Sequence, residues 1–259
     1  MCLSSFLYGF RLKRTRIDSA YDSKRNIILS DFEQVPFSDF SAIEFAENPE
    51  NRCPCILLLD VSGSMSAGMF STKGPIDDLN EGVRLFKSEL EKDSLAAKRV
   101  EISIVTFGGD VKIAQEFSTV DEFHPYDFKA TGLTPMGEAI ETAIGLLRDR
   151  KSQYQANGIK YYRPWIFMIT DGGPNDDVTR AMELIRNGEA AKEFAFFGIG
   201  VKDADMNILK ELSVRAPLKL QGVKFNELFS WLSSSLSSVS RSRPGESVAL
   251  PSPEGWAEI

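Results

Sequence analysis

Apolar residues come along this chain in short unbroken runs, each followed by a stretch in which they recur every three or four positions. Cys55-Ile56-Leu57-Leu58-Leu59 is the first run. It reads as a strand over 55–60 covered on both faces, because a strand with one wet face would alternate. From Pro75, a residue suited to a first helical turn, Ile76, Leu79, Val83, Phe86 and Leu90 recur at helical spacing to about Asp93. Val100–Phe107 is a second strand. After Gly108-Gly109-Asp110 the apolar pattern resumes at once in Val111-Lys112-Ile113-Ala114. A connection that short permits only antiparallel pairing, so the third strand belongs at an edge.

A loop over 118–134 leads to Pro135 and a helix carrying Met136, Ala139, Ile140, Ala143, Leu146 and Leu147, which frays near Ala156-Asn157-Gly158. Strand, helix and strand then follow as Trp165–Thr170, a helical stretch with Val178, Ala181, Met182 and Ile185, and Phe194–Ile199. A short helix (Met206–Leu212), a short strand (Leu218–Leu220) and a helix displaying Phe225, Leu228, Phe229, Leu232, Leu236 and Val239 complete the pattern. This alternation predicts an α/β fold: a Rossmann-like, doubly wound, mostly parallel six-stranded sheet with one antiparallel edge strand and helices on both faces. Residues 51–240 form the expected domain. Residues 1–50 read as an extension and an approach loop whose aromatics (Phe32, Phe37, Phe40, Phe45) include one or two that lie on the core. Residues 241–259, rich in Ser, Pro and Gly, read as a loosely held tail from which Trp256 is apolar enough to dock back.

Composition narrows the function classes. The chain has 259 residues, 42 % of them hydrophobic, and a net charge of −7. Its basic residues are dispersed, which argues against a nucleic-acid surface. No stretch approaches a membrane span, and Arg11, Lys13, Arg14 and Arg16 follow rather than precede the N-terminal apolar run, the reverse of a secretory signal. The three cysteines, Cys2, Cys53 and Cys55, make no disulfide framework. With His124 the only histidine, they make no closed zinc site either. Reduced thiols in a cytoplasmic protein are expected.

The candidate chemistry lies where apolar strands end in carboxylates. The first strand runs into Asp60-Val61-Ser62-Gly63-Ser64, three hard oxygen donors in five residues, and the fourth runs into Asp171. In open α/β sheets the ligand crevice lies beyond the carboxyl ends of the strands, so two carboxylates distant in sequence can converge there. Thr134, at the start of a helix, is a further hydroxyl. Asp60, Ser62, Ser64, Thr134 and Asp171 together suit a hard cation, Mg²⁺ or else Mn²⁺ or Ca²⁺. Taken singly, each has a plainer use as a helix cap or turn residue.

Asp60-Val61-Ser62-Gly63-Ser64-Met65, Thr134-Pro135-Met136-Gly137 and Thr170-Asp171-Gly172 resemble the three-part motif of the von Willebrand factor A domain. The resemblance covers about Cys55 to Val239. It implies a metal-ion-dependent adhesion site in which Asp60, Ser62 and Ser64 ligate from the first strand, Thr134 directly or through water, and Asp171 often through water. A protein partner's Asp or Glu then completes the coordination sphere. Asp176 is either a support behind the site or a helix N-terminal acid. The flanks, including Gly173-Pro174-Asn175-Asp176 and Ser238-Val239-Ser240-Arg241-Ser242, look like the bacterial tellurite-resistance-type (TerY-like) subgroup. That likeness implies a cytoplasmic protein of a stress-response, tellurite-resistance or phage-defence system, with kinase- or phosphatase-like partners. Some members carry a C-terminal zinc ribbon, and residues 240–259 hold no cysteine. The expected protein is a binding module and not an enzyme. The alternative is a Mg²⁺-dependent phosphotransfer or phosphatase enzyme with Asp60 as nucleophile. Against it, the position two residues on, where such enzymes place an acid, is Ser62.

Overall fold

A computed structural model of the chain describes residues 43–68, 71–202, 204–253 and 256–258. The expected extension over 1–30, with Phe32, Phe37 and Phe40, lies outside them. The strands are β1 (Cys53–Asp60), β2 (Val100–Gly108), β3 (Asp110–Thr119), β4 (Trp165–Thr170), β5 (Ala195–Gly200), β6 (Leu218–Leu220) and β7 (Ala257–Glu258). Residues 43–47 are helical (α1). The other helices are α2 (Pro75–Glu91), α3 (Ser94–Arg99), α4 (Met136–Ala156), α5 (Thr179–Ala190), α6 (Met206–Leu212) and α7 (Phe225–Arg241).

The strand order is β3-β2-β1-β4-β5-β6-β7. β1 runs parallel to β2 and β4, and β5 parallel to β4 and β6, whereas β3 turns back antiparallel on β2. The sheet is therefore the mixed, mostly parallel one that the sequence predicts, with one addition. The tail is not loosely held. It docks, and Ala257–Glu258 adds a seventh strand antiparallel to β6. Trp256 is buried against Trp231 of α7, their ring centroids 5.4 Å apart, and the Trp231 indole N–H donates to the Pro251 carbonyl at 2.8 Å. A Ser- and Pro-rich composition says little about docking when two tryptophans and a strand edge hold the segment. α3 is a second addition: α2 stops at Glu91, and Asp93 caps α3, accepting from the amides of Leu95 and Ala96.

β1 is buried along its whole length, and its side chains divide by parity as a strand's must. Cys55, Leu57 and Leu59 join one apolar cluster with Leu79, Val83 and Phe86 of α2 and Phe225, Leu228 and Phe229 of α7. Ile56 and Leu58 join another with Met136, Ala139 and Ile140 of α4, Ala181 and Ile185 of α5, and Leu209 of α6. The helices therefore cover both faces, and β1 stays in the middle.

The amino end of the sheet is closed by charge. Glu101, fully buried on β2, accepts from Arg52 Nε at 2.6 Å, Arg150 Nε at 2.8 Å, Arg150 Nη2 at 2.9 Å and the Tyr154 hydroxyl. Phe45 of α1 lies against both guanidiniums, 5.3 Å from Arg52 and 4.9 Å from Arg150. The approach segment thus lays an aromatic on the core as expected.

Candidate metal centre

β1 sits where the chain's direction of travel across the sheet reverses, with β2 on one side and β4 on the other. That is the switch point at which a crevice opens beyond the strands' carboxyl ends. Asp60 is the last residue of β1, and Asp171 follows the last residue of β4. In the register between these strands, Leu59 lies beside Ile169, which brings the two carboxylates to the same end of the sheet.

The loop after Asp60 is held from below. Val61 and Met65 are buried in the α2–α7 cluster, and the Val61 amide donates to the Phe107 carbonyl at 2.9 Å. Gly63–Met65 makes a single 3-10 turn. Pinned in this way, Ser62 and Ser64 stand side by side with hydroxyl oxygens 3.0 Å apart. The Ser64 hydroxyl donates to Asp171 Oδ1 at 2.6 Å, across 107 positions of sequence.

Thr134 arrives from a third element. Its loop is tied to the other two: Thr131 N donates to Val61 O at 2.7 Å, Gly63 N to Gly132 O at 3.0 Å, and Gly109 N to Leu133 O at 2.7 Å. Gly109 and Gly132 make this approach possible. Both have positive φ, and a Cβ on Gly132 would lie 2.3 Å from the Gly109 Cα. A Cβ built on Gly172 would lie 3.7 Å from Thr134 Oγ1 and 3.9 Å from Ser64 Oγ, so these two hydroxyls face the same glycine beside Asp171. All five residues singled out from the sequence are brought together.

Asp60 is fully buried. Its Oδ1 accepts from the Ser62 amide at 2.8 Å and its Oδ2 from the Thr170 hydroxyl at 2.5 Å. Burial pushes its carboxyl above the ordinary value. The hydrogen bonds from Ser62 and Thr170 oppose this, and the charge of Asp171 adds to it. None of these causes is a basic side chain. Two carboxylates and three hydroxyls around one spot, with the deeper acid raised by burial and by its fellow, fit a hard divalent cation. Among the described residues, no group of three or more His, Cys, Asp or Glu side chains gathers that could hold a metal. This donor set, rich in hydroxyls, is of another kind.

One positioning residue has no assignment from the sequence: Thr170, part of the third motif, orients Asp60. Asp176 has two expected roles, a support behind the site or an acid at a helix N-terminus. It does lie at one, but at that of α4, where it accepts from the amides of Gly137 and Glu138. Asp177 serves the start of α5 instead, accepting from Thr179 N at 2.9 Å. Thr170 could have been suspected from its place beside a buried acid. The partner of Asp176, 39 positions back in the chain, leaves no local signal.

The family model for the von Willebrand factor type A domain matches residues 55–226. No curated protein sequence matches this one. Among solved structures, the pilus adhesin SpaC from Lactobacillus rhamnosus GG aligns at TM-score 0.54 and 9 % identity, covering 73 % of this chain and 31 % of its own. A mutant of the PilB minor pilin from Streptococcus sanguinis aligns at TM-score 0.51 and 12 % identity, covering 73 % of this chain and 62 % of its own. Proximal thread matrix protein 1 from the mussel byssus, with a zinc-occupied MIDAS motif, aligns at TM-score 0.48 and 15 % identity, covering 73 % and 48 %. The chain thus spans less than two thirds of each of these proteins, and at such identities the likeness is one of fold.

Proposed function

The chain belongs to the von Willebrand factor type A family, and from that premise we propose that it is a metal-dependent protein-binding module. Asp60, Ser62, Ser64, Thr134 and Asp171 hold a divalent cation, with Mg²⁺ the first choice and Mn²⁺ or Ca²⁺ the others. The bound ion supplies a Lewis-acidic position at which an Asp or Glu of a protein partner completes the coordination. The observation that carries this reading is the convergence of the five oxygen donors from three separate strand ends and loops.

Division of labour among the side chains supports it. Asp60 and Asp171 bring negative charge. The three hydroxyls bring none and are weak donors, which leaves room in the coordination sphere for water or a further carboxylate oxygen. The Ser62 amide and the Thr170 hydroxyl fix the Asp60 carboxylate. Ser64 is exposed, which leaves the site open to another molecule on that side. The position two residues after Asp60 is a serine already engaged with Ser64, so an acid suited to phosphotransfer is missing there.

The same proposal extends to the setting. Residues 51–240 are the binding domain, and the protein acts in the cytoplasm of a bacterial stress-response, tellurite-resistance or phage-defence system with a kinase- or phosphatase-like partner. This rests on the likeness of the motif flanks alone. Among the described residues no helix is long and apolar enough to cross a membrane.

Calorimetric titration of chelator-treated protein with Mg²⁺ and Mn²⁺, for wild type and Asp60→Ala, tests the site. Capture of partners from a cell extract by the same two proteins, with and without chelator, tests the role. Metal uptake and metal-dependent capture, both lost in Asp60→Ala, are expected. Phosphate-ester turnover by the wild type that disappears in Asp60→Ala would replace the binding module with an enzyme.

A further inference from the structure

We propose that Asp176 is a positioning residue for the metal centre and that it acts through Thr134. The inference rests on the reading of the five donors as a metal site. It adds to that reading a residue which donates nothing to the ion and still sets how well the ion is held.

Helix α4 begins without a cap of its own. Its N-cap residue is Pro135, and no side chain of its own segment accepts from the first turn. The N–H groups left over at such an end must find acceptors. Met136 N turns back to Thr134 O at 2.8 Å, and Ala139 N reaches Pro135 O at 3.1 Å. The two between them, Gly137 N and Glu138 N, donate to Asp176 Oδ1 at 3.0 Å and Oδ2 at 2.9 Å. One carboxylate therefore spans two adjacent amides from a different part of the chain. The same loop also reaches the main chain of the ligand residue itself, since Asn175 N donates to Thr134 O at 3.1 Å. Gly137 is what lets the loop come so near: a Cβ there would lie 2.4 Å from Asp177 O and 3.0 Å from Asp176 Oδ2.

The segment from Asp171 to Asp177 therefore carries one candidate ligand at its start and clamps the helix that carries another at its end. Three hydrogen bonds, two of them to one side chain, tie the segment that begins at Asp171 to Thr134 and to the first turn of α4. An acid at a helix N-terminus also has a plain use as a cap. The two roles separate by measurement. A cap lost lowers the unfolding midpoint and leaves metal affinity alone. A positioning residue lost weakens the metal even in protein that remains folded.

The test uses the full chain as wild type, Asp176→Ala, Asp176→Asn, Thr134→Ala and the Thr134→Ala/Asp176→Ala pair. Mn²⁺ and Mg²⁺ are titrated calorimetrically into each after chelator treatment, and the unfolding midpoint of each is recorded in chelator. Asp176→Ala is expected to weaken Mn²⁺ binding by about 10-fold or more, the usual size for a partner that orients a ligand. Asp176→Asn, which keeps one acceptor, falls between. On the Thr134→Ala background, removing Asp176 costs less than about 2-fold more, because coupled residues are not additive. Wild-type affinity in Asp176→Ala, or losses that multiply in full in the pair, would overturn the proposal. If the alanine variant fails to fold, Asp176→Asn carries the same comparison. A wild-type protein that takes up neither ion would overturn the metal-site reading and this proposal with it, a result distinct from normal uptake by both wild type and Asp176→Ala.

Discussion

Replacing Glu101 with Gln tests what holds the amino end of the sheet. Glu101 is fully buried and accepts three hydrogen bonds from two arginines and a fourth from Tyr154. Burial first, and the charge of Glu101 second, push the Tyr154 hydroxyl well up, so it stays a donor. A Gln side chain keeps the shape, loses the charge and turns an N–H₂ toward donors. Removing one partner of a buried ion pair costs about 3–5 kcal/mol. Here the lower end applies, because each arginine keeps other acceptors: Arg52 the carbonyls of Glu50 at 2.7 Å and Asn48 at 2.6 Å, and Arg150 Gln153 Oε1 at 2.8 Å and Glu44. About 3 kcal/mol corresponds to a fall of roughly 6–12 °C in unfolding midpoint for a domain of this size. Urea unfolding followed by circular dichroism should show the midpoint fall with an unchanged slope. Pro54, which pairs with Glu101, lies six residues before Asp60, or about 20 Å along the strand. Mg²⁺ affinity should therefore be unchanged. A loss below about 1 kcal/mol would refute the reasoning, since an uncompensated buried guanidinium cannot be that cheap. Replacing Arg52, Glu101 and Arg150 together by Met, Leu and Met should recover most of the loss, because the cost lies in the unpaired charge and not in the missing pair.

Other outcomes follow from single features. Trp256→Ala should cost about 3–5 kcal/mol as a large buried side chain. Trp256→Phe should cost under about 1.5 kcal/mol, since the indole N–H is buried without a partner among the described residues and its loss forfeits nothing; urea unfolding separates the two. Burial alone would raise Glu189, but the Arg215 hydrogen bond, the Phe196 amide and the charges of Arg215 and Arg163 outweigh it and hold the carboxyl below its ordinary 4.5. Its contribution is therefore complete above pH 4.5 and is lost as pH falls through the lowered value, and Glu189→Gln should flatten that acid limb of stability. Burial, with the Glu101 charge second, pushes the Cys53 thiol up to about 12, and burial drives Cys55 up as well. In a Cys2→Ser protein, iodoacetamide at neutral pH should accordingly label neither thiol until denaturant is added. Asp60 binds its proton more tightly folded than unfolded, so its ionised form opposes folding at neutral pH. Asp60→Asn should therefore be more stable than wild type in chelator and lose that advantage when Mg²⁺ is added. A variant less stable in both conditions would contradict this.

The sheet, and the five residues that meet at one end of it, are legible in the sequence because both are written in local patterns. An apolar run such as Ile56–Leu59 has one use in a protein of this composition, and a carboxylate at its end has few. What was not legible depends on contacts that leave no trace in their neighbourhood. The tail reads as polar from Ser240 onward, and although Trp256 docks as expected, the two-residue strand that it precedes has no signal of its own. Asp176 stands within two residues of a proline and a second acid, where a cap for the next helix is the obvious expectation. It serves instead a helix that begins 40 residues earlier, because Pro135 leaves that helix without a cap of its own. Arg52, Glu101 and Arg150 look like ordinary surface charges until the fold buries Glu101 and places both arginines on its carboxylate.

These hidden contacts sort by the two ends of β1. At the amino end, charges are buried and paired, and Glu101 is surrounded by donors. At the carboxyl end, Asp60 is buried just as deeply, and among the described residues the groups that act on it are hydroxyls, an amide and another acid. Two neighbouring strands therefore carry, at opposite ends, an acid on β2 whose charge the fold satisfies and an acid on β1 whose charge it leaves for something else to satisfy. A protein selected for stability alone would have no reason to keep the second arrangement, because a buried carboxylate raised by a neighbouring carboxylate opposes folding. On the proposed reading of the site, the cation is the partner for which Asp60 and Asp171 are held together.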